Sequence, residues 1–221
     1  MRLILLLFAI AISFSLGGVN KSVVQKKIET KADFEQLEKV LFESQMYEPK
    51  KSNYYLGLLH SSTFKLKNGE VIKPNYKKSL IHFQRSYESG NKMAAFNISI
   101  ILASKGKIDE GIFILDQTIR EIDTKVDVQD ISTGSYLSVA LASLIMDTKV
   151  NDAEAVSLGI SHLEKYVKIS NIPTGDYILS KMYLIKGDLN SANKYLTRAC
   201  KNPTLPREIA TVCSSMKVRW K

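Results

Sequence analysis

Two sequence features recur together four times along the chain. The first is a bulky aliphatic residue followed by a small one, and the small residues are spaced by 42, 39 and 42 positions. They are Gly57, Ser99, Ser138 and Ser180. After each comes a small residue that begins an apolar stripe, with a second residue of the stripe seven positions later. These pairs are Ser79 and Ser86, Gly111 and Thr118, Ala155 and His162, and Ala192 and Ala199. The joint recurrence predicts a repeat array.

Each repeat is predicted to contain two helices, with one feature on each. Gly57 lies inside an apolar helical segment, NYYLGLLH, although glycine in a helix interior costs about 1 kcal/mol relative to alanine. We interpret it as a small residue that lets the paired helix approach closely.

The helix boundaries support this arrangement. The capping-box pattern Thr30 to Asp33 predicts an N-terminal helix over about Thr30–Tyr47. Pro206 predicts the first turn of a last helix that runs to about Val218. Nothing alternates convincingly with period two, so no sheet is expected. The predicted fold is all-α, an α-solenoid of about four helix-turn-helix repeats with flanking N- and C-terminal helices.

The first repeat contains LGLLH and then NGEVIKPNYKKSLIHFQRSYESGN, the second begins AFNISIIL, and the last contains YILSKMYLIKGDLNSANKYLTRAC. These segments resemble the Sel-one-like repeat, a relative of the tetratricopeptide repeat, over roughly residues 52–200. The resemblance implies a curved stack of helix pairs whose concave face holds a peptide or another protein, and hence an adaptor or scaffold role.

If the first helix of each pair lines the concave face, two sets of positions point into the groove. Three residues before each small residue are Tyr54, Phe96, Ser135 and Tyr177, and one residue after it are Leu58, Ile100, Val139 and Lys181. We predict a partner-binding set comprising Tyr54, Leu58, Phe96, Ile100, Tyr177 and Lys181. For the aromatic residues the alternative is packing between adjacent repeats.

A long connection after the first helix of the first repeat is rich in lysine. It contains Lys65, Lys67, Lys73, Lys77 and Lys78 against Glu70 alone. We interpret it as a basic contact surface, and the alternative is a solvated loop. The net charge of +9 favours an acidic partner. Nucleic acid is not expected, because no recognised reader motif is present.

The N-terminus has the layout of a secretory signal peptide over residues 1–18. Arg2 precedes an apolar segment, Leu3 to Phe14, and Gly17 and Gly18 fit the cleavage position. The alternative is an uncleaved membrane anchor, although the apolar segment is shorter than the roughly 20 residues of a membrane span. The prediction is therefore a periplasmic or secreted protein, with membrane association only if the signal is retained.

Export bears on the two cysteines, since an even number in an oxidising compartment usually pairs. Cys200 would end the second helix of the last repeat, and Cys213 would lie about two turns into the final helix. We predict a disulfide between them, with two buried free thiols as the alternative.

No catalytic or metal-binding motif is recognisable. His60, His82 and His162 lack metal-ligand spacing, and their helical positions favour packing or partial exposure. We therefore predict no enzyme activity, no catalytic residue, no metal and no cofactor. The predicted organisation is a signal peptide (1–18), a linker and capping helix (19–51), the repeats (52–200) and a C-terminal capping helix (201–221).

The predicted function is an exported protein–protein interaction module in a bacterial envelope or secretion system. The alternatives are an envelope enzyme with an unrecognised hydrolytic site, or the same scaffold tethered to the inner membrane. The sequence predicts neither the oligomeric state nor the partner's identity.

Overall fold

A computed structural model describes residues 28–122, 128–170, 172–203 and 206–219. The predicted signal peptide lies outside the described residues. The described part contains ten α-helices, one 3-10 turn at Ser44–Met46, and two short strands, β1 (Phe64–Lys65) and β2 (Val71–Ile72). The helices are α1 (Lys31–Glu43), α2 (Pro49–Ser61), α3 (Tyr76–Glu88), α4 (Ala94–Ser104), α5 (Ile108–Arg120), α6 (Val128–Thr148), α7 (Ala153–Ser170), α8 (Pro173–Lys186), α9 (Leu189–Lys201) and α10 (Arg207–Arg219).

The predicted fold class is confirmed: the chain is all-α, with about four helix-turn-helix repeats between flanking helices. Each of the four small residues from Gly57 to Ser180 lies on the first helix of a pair, and each later stripe lies on the second. All of these positions are buried except Ala155, which is half-buried. Their spacing was therefore a reliable guide to the helix pairs.

The chain divides into two compact units between Ile114 and Leu115. In the N-terminal unit the core is formed where α2, α3 and α4 meet, with Leu56, Phe83 and Ile98 among its buried residues. Leu41 of α1 joins the same core. Two bonds fix the register of α2 on α3: the hydroxyls of Ser79 and Ser86 donate to the carbonyls of Gly57 (2.8 Å) and Lys50 (2.7 Å). The two helices are thus antiparallel.

In the C-terminal unit, α6 pairs with α7 and α8 pairs with α9. Gly134 lies against the Tyr166 ring, and Gly159 lies near Ile145, so α6 and α7 run in opposite directions. Helices α8 and α9 are also antiparallel, because Asp176 contacts Arg198 and Tyr183 contacts Tyr195. The second pair contacts the first through both α6 and α7.

The predicted capping box at the start of α1 is present. The Asp33 amide donates to the Thr30 hydroxyl (3.1 Å), and the Thr30 amide donates to the Asp33 carboxylate (2.9 Å). These reciprocal bonds satisfy amides that have no partner inside the helix.

At the other end, Cys200 of α9 and Cys213 of α10 form the predicted disulfide, with their Cα atoms 5.6 Å apart. The terminal helix is thereby fastened to the last repeat. Its start, at Arg207, is one residue later than predicted from Pro206.

The expectation of no sheet was wrong in one small region. Strands β1 and β2 form an antiparallel ribbon in which Phe64 pairs with Ile72 and Lys65 with Val71. The turn between them has Gly69 at a φ of +85°, a conformation that glycine adopts readily. Two-residue strands are too short to produce a convincing alternation in sequence, so the sequence did not predict this ribbon.

Candidate partner-binding surfaces

The predicted groove positions differ in exposure. Tyr54 is only 5% exposed, and Phe96 and Ser135 are also buried. The Asn97 amide of α4 donates to the Tyr54 hydroxyl (3.2 Å), and the Tyr54 ring meets Phe83 edge to face at 5.6 Å. This geometry supports the alternative for Tyr54, which is packing between adjacent repeats.

Four of the predicted partner-binding residues remain partly exposed: Leu58, Ile100, Tyr177 and Lys181. Leu58 also packs against the core of the N-terminal unit. In the C-terminal unit, the Lys181 ammonium lies 4.6 Å from the centre of the Tyr177 ring. A cation over an aromatic face is a favourable contact that also leaves both groups at the surface. Tyr177 and Lys181 are therefore accessible to a partner and offer it an aromatic ring and a positive charge.

The lysine-rich connection is more ordered than a solvated loop. Along the ribbon the side chains alternate between two faces, as strand geometry requires. Phe64, Leu66 and Ile72 turn toward the protein, and Phe64 packs edge to face on Phe34 of α1 (5.7 Å). The opposite face is solvent-exposed, and we call it the lysine face; it consists of Lys65, Lys67, Val71 and Lys73.

The five lysines of this connection have different electrostatic surroundings. Lys67 is paired with Glu29, whose hydrogen bond and charge raise the pKa of the Lys67 ammonium. Lys78 lies 3.3 Å from Glu38 of α1. Among the described residues, Lys65, Lys73 and Lys77 have no carboxylate within ion-pair distance. Three exposed cations are thus available to an anionic partner.

The two edges of the ribbon also differ. The Leu66 amide donates to the Glu70 carbonyl (2.8 Å), which makes Leu66 and Glu70 a hydrogen-bonded pair. Since such pairs alternate with non-hydrogen-bonded ones in an antiparallel ladder, the backbone groups of Lys65 and Val71 point outward. On the β1 side, the Lys67 amide donates to the Glu29 carbonyl (2.9 Å). On the β2 side, the Val71 amide and carbonyl have no backbone partner in the described part of the chain.

Two of the three histidines lie close together beside α1. The His60 and His82 rings stack with centroids 5.6 Å apart, and the His60 Nε2 atom lies 3.1 Å from Glu38 Oε1. The His82 Nδ1 atom lies 3.1 Å from the side-chain oxygen of Asn53. Burial lowers the pKa of both histidines, and for His82 it falls to about 4, with the neighbouring charges of His60 and Arg85 contributing.

The third histidine, His162, lies in the C-terminal unit. Its Nε2 atom is 2.6 Å from Asp116 Oδ1. Asp116 also accepts from the Arg120 guanidinium (2.9 Å). The contact between His162 and Asp116 ties α5 to α7.

A second polar cluster in that unit is centred on Glu164. Its carboxylate accepts from the hydroxyls of Tyr183 (2.9 Å) and Tyr195, whose rings stack at 5.6 Å. Burial and the Glu164 carboxylate raise the pKa of Tyr183 to about 12. The tyrosines stay neutral at physiological pH and join α7, α8 and α9.

In the described residues, no group of three or more His, Cys, Asp or Glu side chains is arranged to hold a metal ion. None of the helices described here is both long and apolar enough to span a bilayer.

The sequence did not predict the pairings of Lys67 and Lys78, because their partners lie far away in the chain. It also did not predict the stacked histidines. Their spacing of 22 residues becomes a contact only when α2 and α3 pair.

Comparison with known proteins gives no family assignment. No family model matches the chain, and no curated protein matches it significantly.

Proposed function

We propose that this protein is an exported interaction module, an adaptor or scaffold of the Sel-one-like and tetratricopeptide-like kind, that binds an acidic protein or peptide. The observation that carries the proposal is the lysine face. It presents exposed Val71 between Lys65 and Lys73, and neither lysine has a carboxylate partner among the described residues.

The lysine face is complementary to an acidic surface that carries apolar side chains. Exposed cations increase the rate of encounter with an anionic surface, and an apolar side chain between them adds contact area that lengthens the lifetime of a complex. Tyr177 and Lys181 offer the same combination in the C-terminal unit.

Export is supported by the N-terminal sequence and by the disulfide. Arg2 and the apolar segment from Leu3 to Phe14 fit a signal peptide. A Cys200–Cys213 bond persists in an oxidising compartment, such as the periplasm or the extracellular space. Location in a bacterial envelope or secretion system completes the proposal.

The test is affinity capture from an extract of the producing cells, followed by mass spectrometry and by calorimetry with the purified partner. The variant carries Lys65→Gln, Lys73→Gln and Lys77→Gln. A control of equal charge carries Lys105→Gln, Lys186→Gln and Lys201→Gln, all at exposed positions outside the ribbon.

We expect the parent and the control to bind one partner stoichiometrically, and the variant that lacks Lys65, Lys73 and the neighbouring Lys77 of α3 to bind about tenfold more weakly at low salt. If both variants bind the partner equally, the lysine face is not the surface that binds it. Failure of the parent to retain any protein would contradict the proposed function itself.

A further inference from the structure

We propose that the outer edge of β2 is a strand-addition site, at which an extended acidic segment of a protein partner pairs with the backbone of Val71. The inference rests on the proposed function and specifies its mode of recognition. Three features support it: the outward amide and carbonyl of Val71, which have no backbone partner among the described residues, the lysines on the same face, and the support behind the ribbon.

The hydrogen-bonding pattern defines the edge. Since Lys65 and Val71 form a non-hydrogen-bonded pair, the Val71 amide and carbonyl point away from β1. A strand aligned there would receive one bond from Val71 and donate one to it. Extended peptides recognise exposed sheet edges in this way, with affinity from the backbone and specificity from alternate side chains.

The two edges are not equivalent, and the difference favours β2 as the side on which the partner adds. The β1 edge is already occupied beside Lys67, whose amide donates to the Glu29 carbonyl (2.9 Å). The β2 edge continues into Lys73, and Pro74 restricts that residue to an extended conformation. The open edge is therefore held in the conformation that strand pairing requires.

The ribbon is supported on its other face. Leu66 is buried, Phe64 packs on Phe34, and the Asn75 amide donates to the His60 carbonyl (2.7 Å), which anchors the return of the chain to α3. An edge held in place in this way loses little freedom on binding, because its conformation exists before the partner arrives.

The side chains define the chemistry of the partner. Val71 is 46% exposed, and Lys65 and Lys73 flank it on the same face. An added strand would place an apolar side chain beside Val71 and, two residues along, a carboxylate beside Lys73, since opposite charges on neighbouring strands attract. Lys65 lies on β1, one strand further away, and adds to the positive charge of the same face. The preferred ligand is thus an extended segment in which an acidic residue lies two positions from an apolar one, so that both side chains project from the same face.

Lysines on a short edge strand also protect a protein from edge-to-edge aggregation. In that case they would repel unwanted strands and bind nothing, so this alternative is an outcome of the test.

The probe is a short synthetic peptide in which glutamate and valine occupy every second position in turn, with threonine between them, compared with a peptide in which glutamine replaces glutamate. Binding is measured by calorimetry, and the exchange of the Val71 amide is followed by NMR. The key variant is Val71→Pro. It removes the outward amide without removing a bond of the ribbon, and proline is tolerated where the strand amide faces solvent.

The parent should bind the acidic peptide, and the Val71 amide should exchange more slowly in the complex. Val71→Pro should weaken binding about tenfold or more while leaving the circular dichroism spectrum unchanged. If that variant does not fold, strand addition is still tested by two measurements on the parent: the exchange of the Val71 amide in the complex, and the difference in affinity between the glutamate and glutamine peptides. Binding without protection of Val71, or binding to anionic vesicles but not to the peptide, would overturn strand addition.

The proposed function fails separately. A partner captured equally by the parent and by Val71→Pro would keep the interaction function and overturn the edge as its site. A peptide that protects Val71, together with no partner captured from cells, would keep the edge and overturn the proposed function.

Discussion

Gly57 lies against the ring of Phe83 so closely that a Cβ atom at position 57 would stand 2.6 Å from two of the ring carbons. The ring belongs to the facing helix of the same pair, and it is fully buried. The glycine therefore sets the distance between α2 and α3, and its low helix propensity is offset by the close packing.

Gly57→Ala should destabilise the protein by about 1 to 3 kcal/mol, because a buried ring has no space into which it can move. The matched control is Gly159→Ala, whose Cβ would meet the flexible end of Met182 at 2.6 Å. That change should stay within about 1 kcal/mol of the parent, since helix propensity improves. Chemical denaturation of both variants is the measurement, and equal effects would show that the Phe83 contact is unimportant.

Reduction of the Cys200–Cys213 bond should destabilise the C-terminal end. For a loop closed across 13 positions the loss should be about 3 kcal/mol. Denaturation with and without reductant gives the difference, and the Cys200→Ala, Cys213→Ala double variant should not respond to reductant. Two free thiols in the mass of the unreduced protein would contradict the bond.

Acidification should destabilise the N-terminal unit through the histidine pair. Burial lowers the pKa of His60 and His82 in the folded state below the value of about 6.5 in the unfolded chain. Folding therefore favours the neutral rings, and this stability is present above pH 6.5 and lost as the pH falls through about 4. Glu38 opposes the loss, whereas Lys78 and Arg85 add to it.

The measurement is the denaturation midpoint at pH 7 and at pH 4.5 for the parent and for His82→Asn, in which an amide can replace the ring nitrogen beside Asn53. The variant should lose less stability on acidification than the parent. The same pH dependence in both would show that His82 does not contribute to the loss of stability in acid.

Asp176 and Arg198 form a pair whose loss should be costly. The Asp176 carboxylate is 1% exposed and accepts the Arg198 Nε–H at 2.8 Å. Arg198→Met leaves that charge buried and unpaired, and should cost about 2 to 3 kcal/mol, less than for a fully buried pair because Arg198 is partly exposed.

Asp176→Asn combined with Arg198→Met should recover part of that stability. The control is Lys51→Met at the exposed pair with Glu48, which should change stability by less than about 1 kcal/mol. Equal effects at the two pairs would contradict the structural role of Asp176.

The sequence predicted the helix pairs well because small residues recur wherever two helices touch. It placed Gly57, Ser99, Ser138 and Ser180 on the first helices and anticipated the cysteine pair. The exposure of Tyr54 was not predictable in the same way. An aromatic residue on a first helix can face a groove or a neighbouring repeat. For Tyr54, the hydrogen bond from Asn97 of α4 shows that it faces the neighbouring repeat.

The lysine-rich connection shows the same limit. Its charge was evident, but the fold determines which lysines are already paired. Glu38 reaches Lys78 from 40 residues earlier in the chain, and no local pattern encodes that contact. The alternation of Lys65, Leu66 and Lys67 was visible over too few residues to predict a strand.

Site-specific photo-crosslinking in the producing cells shows whether the lysine face contacts a protein partner. A photoreactive residue is placed at Val71 and, as the control, at Val150, which has a similar exposure of 40% compared with 46%. We expect one discrete crosslinked protein from position 71 and none from position 150, with the product lost when Lys65 and Lys73 are replaced by glutamine. No product from position 71, or the same products from both positions, would contradict it.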